Sequence, residues 1–212
     1  MSEKNIFHQH LIKNVWAAGR NYTNHAKEMK VEIPAAPVIF LKSGSSIVSG
    51  SLLHLPEWAS EIHHEVEFAF WVNEDLNFSH FTLALDLTAR DAQNIAKQKG
   101  LPWTLAKSFT GACPLGPWVP LEAVPNLESL QIELKINNET KQLGDFKDMI
   151  FTPAVLLNYI KKHFPVAPYD VILTGTPEGV GPLKSGDKIE AQIRDKTQSS
   201  QQPILVCHWD VN

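Results

Sequence analysis

Two glutamates two residues apart, Glu65 and Glu67 in EIHHEVEFAFWV, are the first side chains that point to chemistry. If this segment is a strand, its alternation puts His63, Glu65 and Glu67 on one face and Val66, Phe68 and Phe70 on the other. Two neighbouring carboxylates repel unless a cation or a proton compensates, so the pattern invites a metal or a raised carboxyl pKa. Oxygen donors favour Mg²⁺, Mn²⁺ or Ca²⁺ over zinc. Asp86 ends the next apolar run, FTLALD, where a strand end can present a third carboxylate. The same alternation also fits two carboxylates on the wet face of a half-exposed strand, and spacing alone does not separate the two readings.

Other polar residues could serve such a centre. His25 and Glu28 in NYTNHAKEM lie three apart, so one helical turn would let the carboxylate orient and charge the imidazole as part of a base. An exposed surface turn reads the same way. Lys107 is set in the apolar run PWTLAKSF, where a buried ammonium needs an anionic partner or must snorkel to solvent. Arg20 in GRNY has the planar fork that suits a carboxylate. TGTPEGVG is rich in turn formers and lacks the GKS/T ending of a nucleotide-binding loop.

The elements that must position these groups read as β-rich with a few helices. Strands are expected at residues 14–18, 38–41, 61–72, 81–85, 131–136, 171–173, 188–193 and 204–209, with a tight hairpin at Asn137-Asn138. One helix is expected from Thr88 and Asp91 to its stop at Gly100, another from Thr152 and Pro153. The apolar, proline-broken stretch between them reads as long ordered loops.

At 212 residues and 43% hydrophobic, the chain suffices for one domain with a substantial core. Nineteen basic and 23 acidic residues give a net charge of -4, with no broad cationic surface for nucleic acid or anionic lipid. Cys113 and Cys207 fit neither a metal pair nor a disulfide framework, and two buried reduced thiols are expected. No apolar run approaches the ~20 residues of a membrane span, and MSEKNIFHQH lacks the apolar core of a secretory signal. Cytoplasmic residence is the expectation that follows.

Taken in order, GRNYTNHAKEM, FLKSGSSIV, HHEVEFAF, LALDLTARDAQ, GLPWTLAKSF and ILTGTPEGVGPLKSGD resemble the fumarylacetoacetate hydrolase family, most of all its short members similar to acylpyruvases and oxaloacetate decarboxylases. The resemblance implies an α+β, β-rich fold, a mixed β-roll or distorted barrel with flanking helices, covering residues 1–212 as one catalytic domain and acting as a homodimer. It implies Glu65, Glu67 and Asp86 as ligands of Mg²⁺, with Mn²⁺ or Ca²⁺ as substitutes. By the same resemblance Lys107 faces the substrate, and Arg20, Gln93, Gly175 and Thr176 bind it. His25 and Glu28 would form a dyad on a mobile segment that closes over a small 2-oxo acid. The activity so implied is hydrolysis of an acylpyruvate to pyruvate and a carboxylate, with the metal stabilising enolate charge and the dyad activating water. Decarboxylation of oxaloacetate or tautomerisation would use the same enolate, and a non-catalytic metal and dicarboxylate binder is the third reading. The link NEDLNFSHF is shorter than in many relatives, which puts its hairpin geometry in question.

Overall fold

A computed structural model of the chain describes residues 11–23, 34–48, 50–198 and 202–212. Its longer strands are β1 (Asn14–Gly19), β2 (Val38–Ser43), β3 (Ile62–His64), β4 (Val66–Val72), β5 (Phe78–Leu85), β6 (Leu130–Ile136), β7 (Glu139–Asp145), β8 (Val171–Leu173), β9 (Lys188–Asp195) and β10 (Leu205–Val211). Three α-helices that lie wholly among the described residues accompany them: α1 (Arg90–Lys99), α2 (Thr104–Lys107) and α3 (Pro153–His163). The fold is the strand-rich α+β class expected, in several sheets, and no sheet closes into a barrel among the described residues.

The main sheet has the order Val119–Pro120, β5, β4, β8, β1, β2. β1 runs parallel to β8, while β8 and β4, β4 and β5, and β1 and β2 are antiparallel. The ends of β1, β5 and β8 and the start of β4 therefore lie along one edge of the sheet, and the site forms there. β4 is buried at every position, because side chains cover both of its faces. Phe68 and Phe70 reach one cluster with Leu130, Ile132 and Ile193 of the second sheet, whose order is β7, β6, β9, β10, Leu52–Leu53. Burial of such apolar area is the main term holding the two sheets together.

The strand expected over residues 61–72 is broken at Glu65. β3 pairs with Thr88–Ala89 and Gly181–Pro182 in a separate small sheet, and β4 joins the main sheet. The chain changes sheets at Glu65, whose carbonyl accepts from Asp86 N–H at 2.8 Å. Helix α1 also departs from expectation. Thr88 does not cap it but pairs with His63 as a strand residue; the helix begins at Arg90, with Ala89 at the N-cap position. Asp91 instead accepts from the backbone and hydroxyl of Ser60 at 2.8 and 2.7 Å. Gly100 ends the helix at φ 65°, as expected.

α3 opens on Thr152, whose Oγ1 accepts from Val155 N–H, followed by Pro153 at the first position. Asn137 and Asn138 carry φ of 53° and 66°, the conformation of a two-residue hairpin that asparagine tolerates. The stretch read as loops contains one turn of helix, α2, which turns Lys107 inward. The short link between β4 and β5 folds about Asn73, whose Oδ1 accepts from Asp75 N–H and Asn77 N–H. Cys113 and Cys207 are free and buried, and burial pushes each thiol up to about 12. No described helix is long and apolar enough to cross a membrane.

Candidate active site

Glu65, Glu67 and Asp86 converge, each offering an oxygen within 4.8 Å of the others. Their exposures of 6%, 2% and 1% dismiss the wet-strand reading. Three buried carboxylates need compensation, and cations surround them. Lys107 Nζ donates to Glu65 at 2.8 Å and to Asp86 at 2.5 Å, Arg90 to Glu65 at 2.6 Å, and Lys42 to Asp86 at 2.6 Å. The ammonium of Lys107 and the guanidinium of Arg90 overcome burial and hold the Glu65 carboxyl far below its usual range. Glu67 goes the other way: burial, then the charges of Asp86 and Glu65, raise its carboxyl well above 4.5. It sits where a further positive charge is wanted. The donor set, all carboxylate oxygen, fits a hard divalent cation.

The other expected residues gather around this centre. Arg20, Gln93 and Thr176 line the same pocket with Phe40, Trp103 and Lys97. Gly175 lies beside it and donates its N–H to Glu67 at 2.6 Å. Arg90 and Gln93, three apart on α1, share a face, and Arg90 donates to the Gln93 amide oxygen at 2.5 Å. The cavity is narrow, about 40 Å³, against the ~300 Å³ lower end of pockets for drug-sized ligands. A larger one of about 480 Å³, lined by Tyr22, Asp145, Asp148 and Pro177 among others, contains none of the three carboxylates. Charge convergence, rather than size, marks the site. His25 and Glu28 lie outside the described residues.

His63 does not join the glutamates. Its ring bonds to Glu61 at 2.6 Å, on the small sheet. Its neighbour His64 is the buried one, and it belongs to a network that pattern reasoning did not find. Gln142, buried on the otherwise exposed strand β7, accepts from Val66 N–H at 3.1 Å and pairs with His64 Nδ1 at 2.8 Å. Its amide nitrogen donates to Thr176 Oγ1 at 2.8 Å and to the Pro177 carbonyl at 3.0 Å. The amide orientation set by those acceptors makes His64 Nδ1 the donor. Asn21 does similar work for the other wall. Its side-chain nitrogen donates to the carbonyls of Phe151 and Thr174, each at 2.8 Å, and its oxygen accepts from Phe151 N–H at 2.7 Å.

Also missed were Lys42, wholly buried in VIFLKS, and Arg90. A lone cation in an apolar run was the signal for Lys42, as it was for Lys107. For Arg90 it was the three-residue spacing to Gln93.

Burial lowers the pKa of His64 below 6.5, outweighing its bond to Gln142. As pH falls through 6.5, the unfolded chain takes up a proton that the folded chain refuses. Stability is therefore complete above that value and is lost as pH falls toward the folded pKa, with a limiting slope of about 1.4 kcal/mol per pH unit. His64→Asn, which keeps a donor toward Gln142, should flatten this contribution in urea unfolding between pH 5 and pH 8. An unchanged slope would assign the acid lability to other groups.

The chain has relatives among known proteins. The domain family described as fumarylacetoacetate (FAA) hydrolase C-terminal matches residues 14–202. The chain is 41% identical over 192 residues to oxaloacetate tautomerase FAHD1, mitochondrial, of Bos taurus, covering 85% of this chain and 87% of the relative. It is 37% identical over 206 residues to oxaloacetate decarboxylase, mitochondrial, of Dictyostelium discoideum, covering 92% and 94%. A crystal structure of fumarylpyruvate hydrolase from Pseudomonas aeruginosa, in complex with Mn²⁺ and pyruvate, superposes with a TM-score of 0.85 at 26% identity, covering 94% of this chain and 89% of that one. The expectation of cytoplasmic residence is overturned by the curated relatives, which are named mitochondrial. It rested on the lack of a secretory signal and a membrane span, and import into an organelle requires neither.

Proposed function

From the premise that the chain belongs to the fumarylacetoacetate hydrolase family and is an enzyme of that family's enolate chemistry, we propose that it interconverts the keto and enol forms of a small 2-oxo dicarboxylic acid of the oxaloacetate type. The observation that carries this is the convergence of three buried carboxylates with Lys107 inside a pocket walled by Arg20, Gln93 and Thr176. Glu65, Glu67 and Asp86 would hold a divalent metal, Mg²⁺, with Mn²⁺ or Ca²⁺ as substitutes. When bound, such a cation supplies Lewis-acid stabilisation of the negative charge that develops as a 2-oxo acid enolises.

The chain's own groups do the rest. Arg20, with Thr176, holds a substrate carboxylate beside Gly175, whose amide keeps Glu67 in place, and Gln93 orients the 2-oxo end. Lys107 sets positive charge at the 2-oxo oxygen in a pocket with little water. His25 takes the C3 proton, the C–H electron pair becomes the C2–C3 double bond, the carbonyl π pair passes to the 2-oxo oxygen, and the imidazolium returns the proton to that oxygen. Residues 1–212 act as one catalytic domain, in a homodimer that sedimentation would register.

A second reading is hydrolysis of an acylpyruvate, favoured by the likeness to fumarylpyruvate hydrolase. We put enolisation first because the curated relatives at higher identity are named for oxaloacetate. Hydrolysis needs one group more, a base that aligns water, and that role falls to Glu28 with His25.

Turnover of enol-oxaloacetate and of acetylpyruvate by chelator-stripped protein, with and without Mg²⁺ or Mn²⁺ and against a metal-only blank, ranks the two. Metal-dependent tautomerisation above the blank is expected. Ligand stabilisation without product would instead point to a binding protein. Glu28→Ala should reduce acetylpyruvate hydrolysis by about 10² or more and tautomerisation by less. Unchanged hydrolysis in that variant would remove Glu28 from the water-activating role.

A further inference from the structure

Each carboxylate of the centre has one oxygen fixed from outside. Glu65 Oε1 accepts from Arg90, Asp86 Oδ1 from Lys42, and Glu67 Oε2 from the Gly175 amide, each at 2.6 Å. That leaves Glu65 Oε2, Asp86 Oδ2 and Glu67 Oε1 facing inward. The first two are both held by Lys107 Nζ, at 2.8 and 2.5 Å. The ammonium thus stands in the place between Glu65 and Asp86 that a bridging cation would take. Lys42 differs in kind: it is wholly buried, holds the outer oxygen of Asp86, and among the described residues reaches beyond it only the Leu87 carbonyl at 3.4 Å.

We propose that Lys107 is a resident cation that an incoming divalent metal displaces, while Lys42 is a positioning residue that stays on Asp86 throughout. The inference rests on the metal reading above. An ammonium seated between Glu65 Oε2 and Asp86 Oδ2 occupies the position from which a metal ion would bridge the same two oxygens, and of the two lysines only Lys107 has somewhere to go. Its Nζ already stands 4.9 Å from the centroid of the Phe40 ring, and Phe40 lines the pocket. A modest rotation of its flexible stem keeps that cation–π contact and turns the ammonium toward the cavity, where a substrate anion would meet it. Binding is then ordered: metal first, substrate second, with Lys107 handed from one anion to the next.

Reductive dimethylation with formaldehyde, mapped by peptide mass spectrometry on wild-type protein with and without Mn²⁺, reads this directly. Lys97, on the wall of the same pocket, serves as internal reference. Lys107 should be protected in chelator-stripped protein and react at a rate comparable to Lys97 once Mn²⁺ is bound, while Lys42 stays unmodified in both states. In calorimetry Lys107→Met should bind Mn²⁺ more tightly than wild type, and Lys42→Met more weakly by about 10- to 100-fold. Equal protection of Lys107 in both states, with Mn²⁺ binding confirmed by calorimetry, would overturn the displacement and leave the metal reading standing. Absence of Mn²⁺ binding would overturn both. Modification of Lys42 on metal loading would end its assignment as the permanent partner of Asp86.

Discussion

Asp86→Ala should abolish turnover and Mn²⁺ binding together, and should also weaken the fold. The carboxylate is 1% exposed and each of its oxygens holds a lysine. Lys107 retains Glu65 when Asp86 is lost, but Lys42 retains only the Leu87 carbonyl at 3.4 Å. Breaking a buried ion pair by removing one partner costs about 3–5 kcal/mol, because the survivor stays buried and uncompensated. Urea unfolding of metal-free protein measures this apart from any loss of metal. Asp86→Asn, which keeps the volume and one acceptor for Lys42, should fall between the two. Wild-type stability in Asp86→Ala would show that Lys42 finds another partner, and the account of the buried charges would need rebuilding.

The second large effect is expected at Gly175. Its φ of 92° is a conformation that other residues adopt at a cost of about 1–3 kcal/mol. A Cβ there would lie 2.8 Å from Asn21 Cβ and 3.0 Å from the Ala18 carbonyl, both parts of a rigid wall. Gly175→Ala should therefore destabilise by roughly 2–4 kcal/mol, or a fall in Tm of about 5–15 °C. It should also impair turnover, since the N–H that holds Glu67 and the threonine that follows must move with the backbone. Normal turnover at normal Tm would mean that the wall yields, and that Gly175 is a convenience rather than a requirement.

What could be read in advance followed local rules. Asn137-Asn138 announced its hairpin because asparagine tolerates positive φ, and Thr152 with Pro153 announced α3 by its cap. Glu65, Glu67 and Asp86 were legible as candidates, although the alternation argument alone would have placed His63 among them. It failed there because strand period holds only within one sheet, and the chain changes sheets at Glu65. Thr88 looked like a cap because its type and place suited one, and pairing with His63 took precedence.

Lys42, Gln142 and Asn21 were not assigned roles because each is buried for the sake of partners far along the chain. Lys42 bonds a residue 44 positions away, Gln142 one 78 away, and Asn21 one 153 away. Nothing in β7, otherwise polar and largely exposed, marks Gln142 as different from its neighbours. Gln142 and Asn21 declare themselves only when the elements they join are seen together, whereas Lys42 left a trace in the sequence as a lone cation in an apolar run.

The arrangement of charge around the carboxylates has one further consequence. Glu65, Glu67 and Asp86 face Lys42, Arg90 and Lys107, three against three, while Arg20 and Lys97 stand on the walls. With Glu67 ionised the inner shell is near electrical balance, and a divalent ion tips it positive. Under the reading proposed here, a dianionic guest offsets the two charges that the metal adds, so a second carboxylate on the substrate is part of how the chamber answers its own charge.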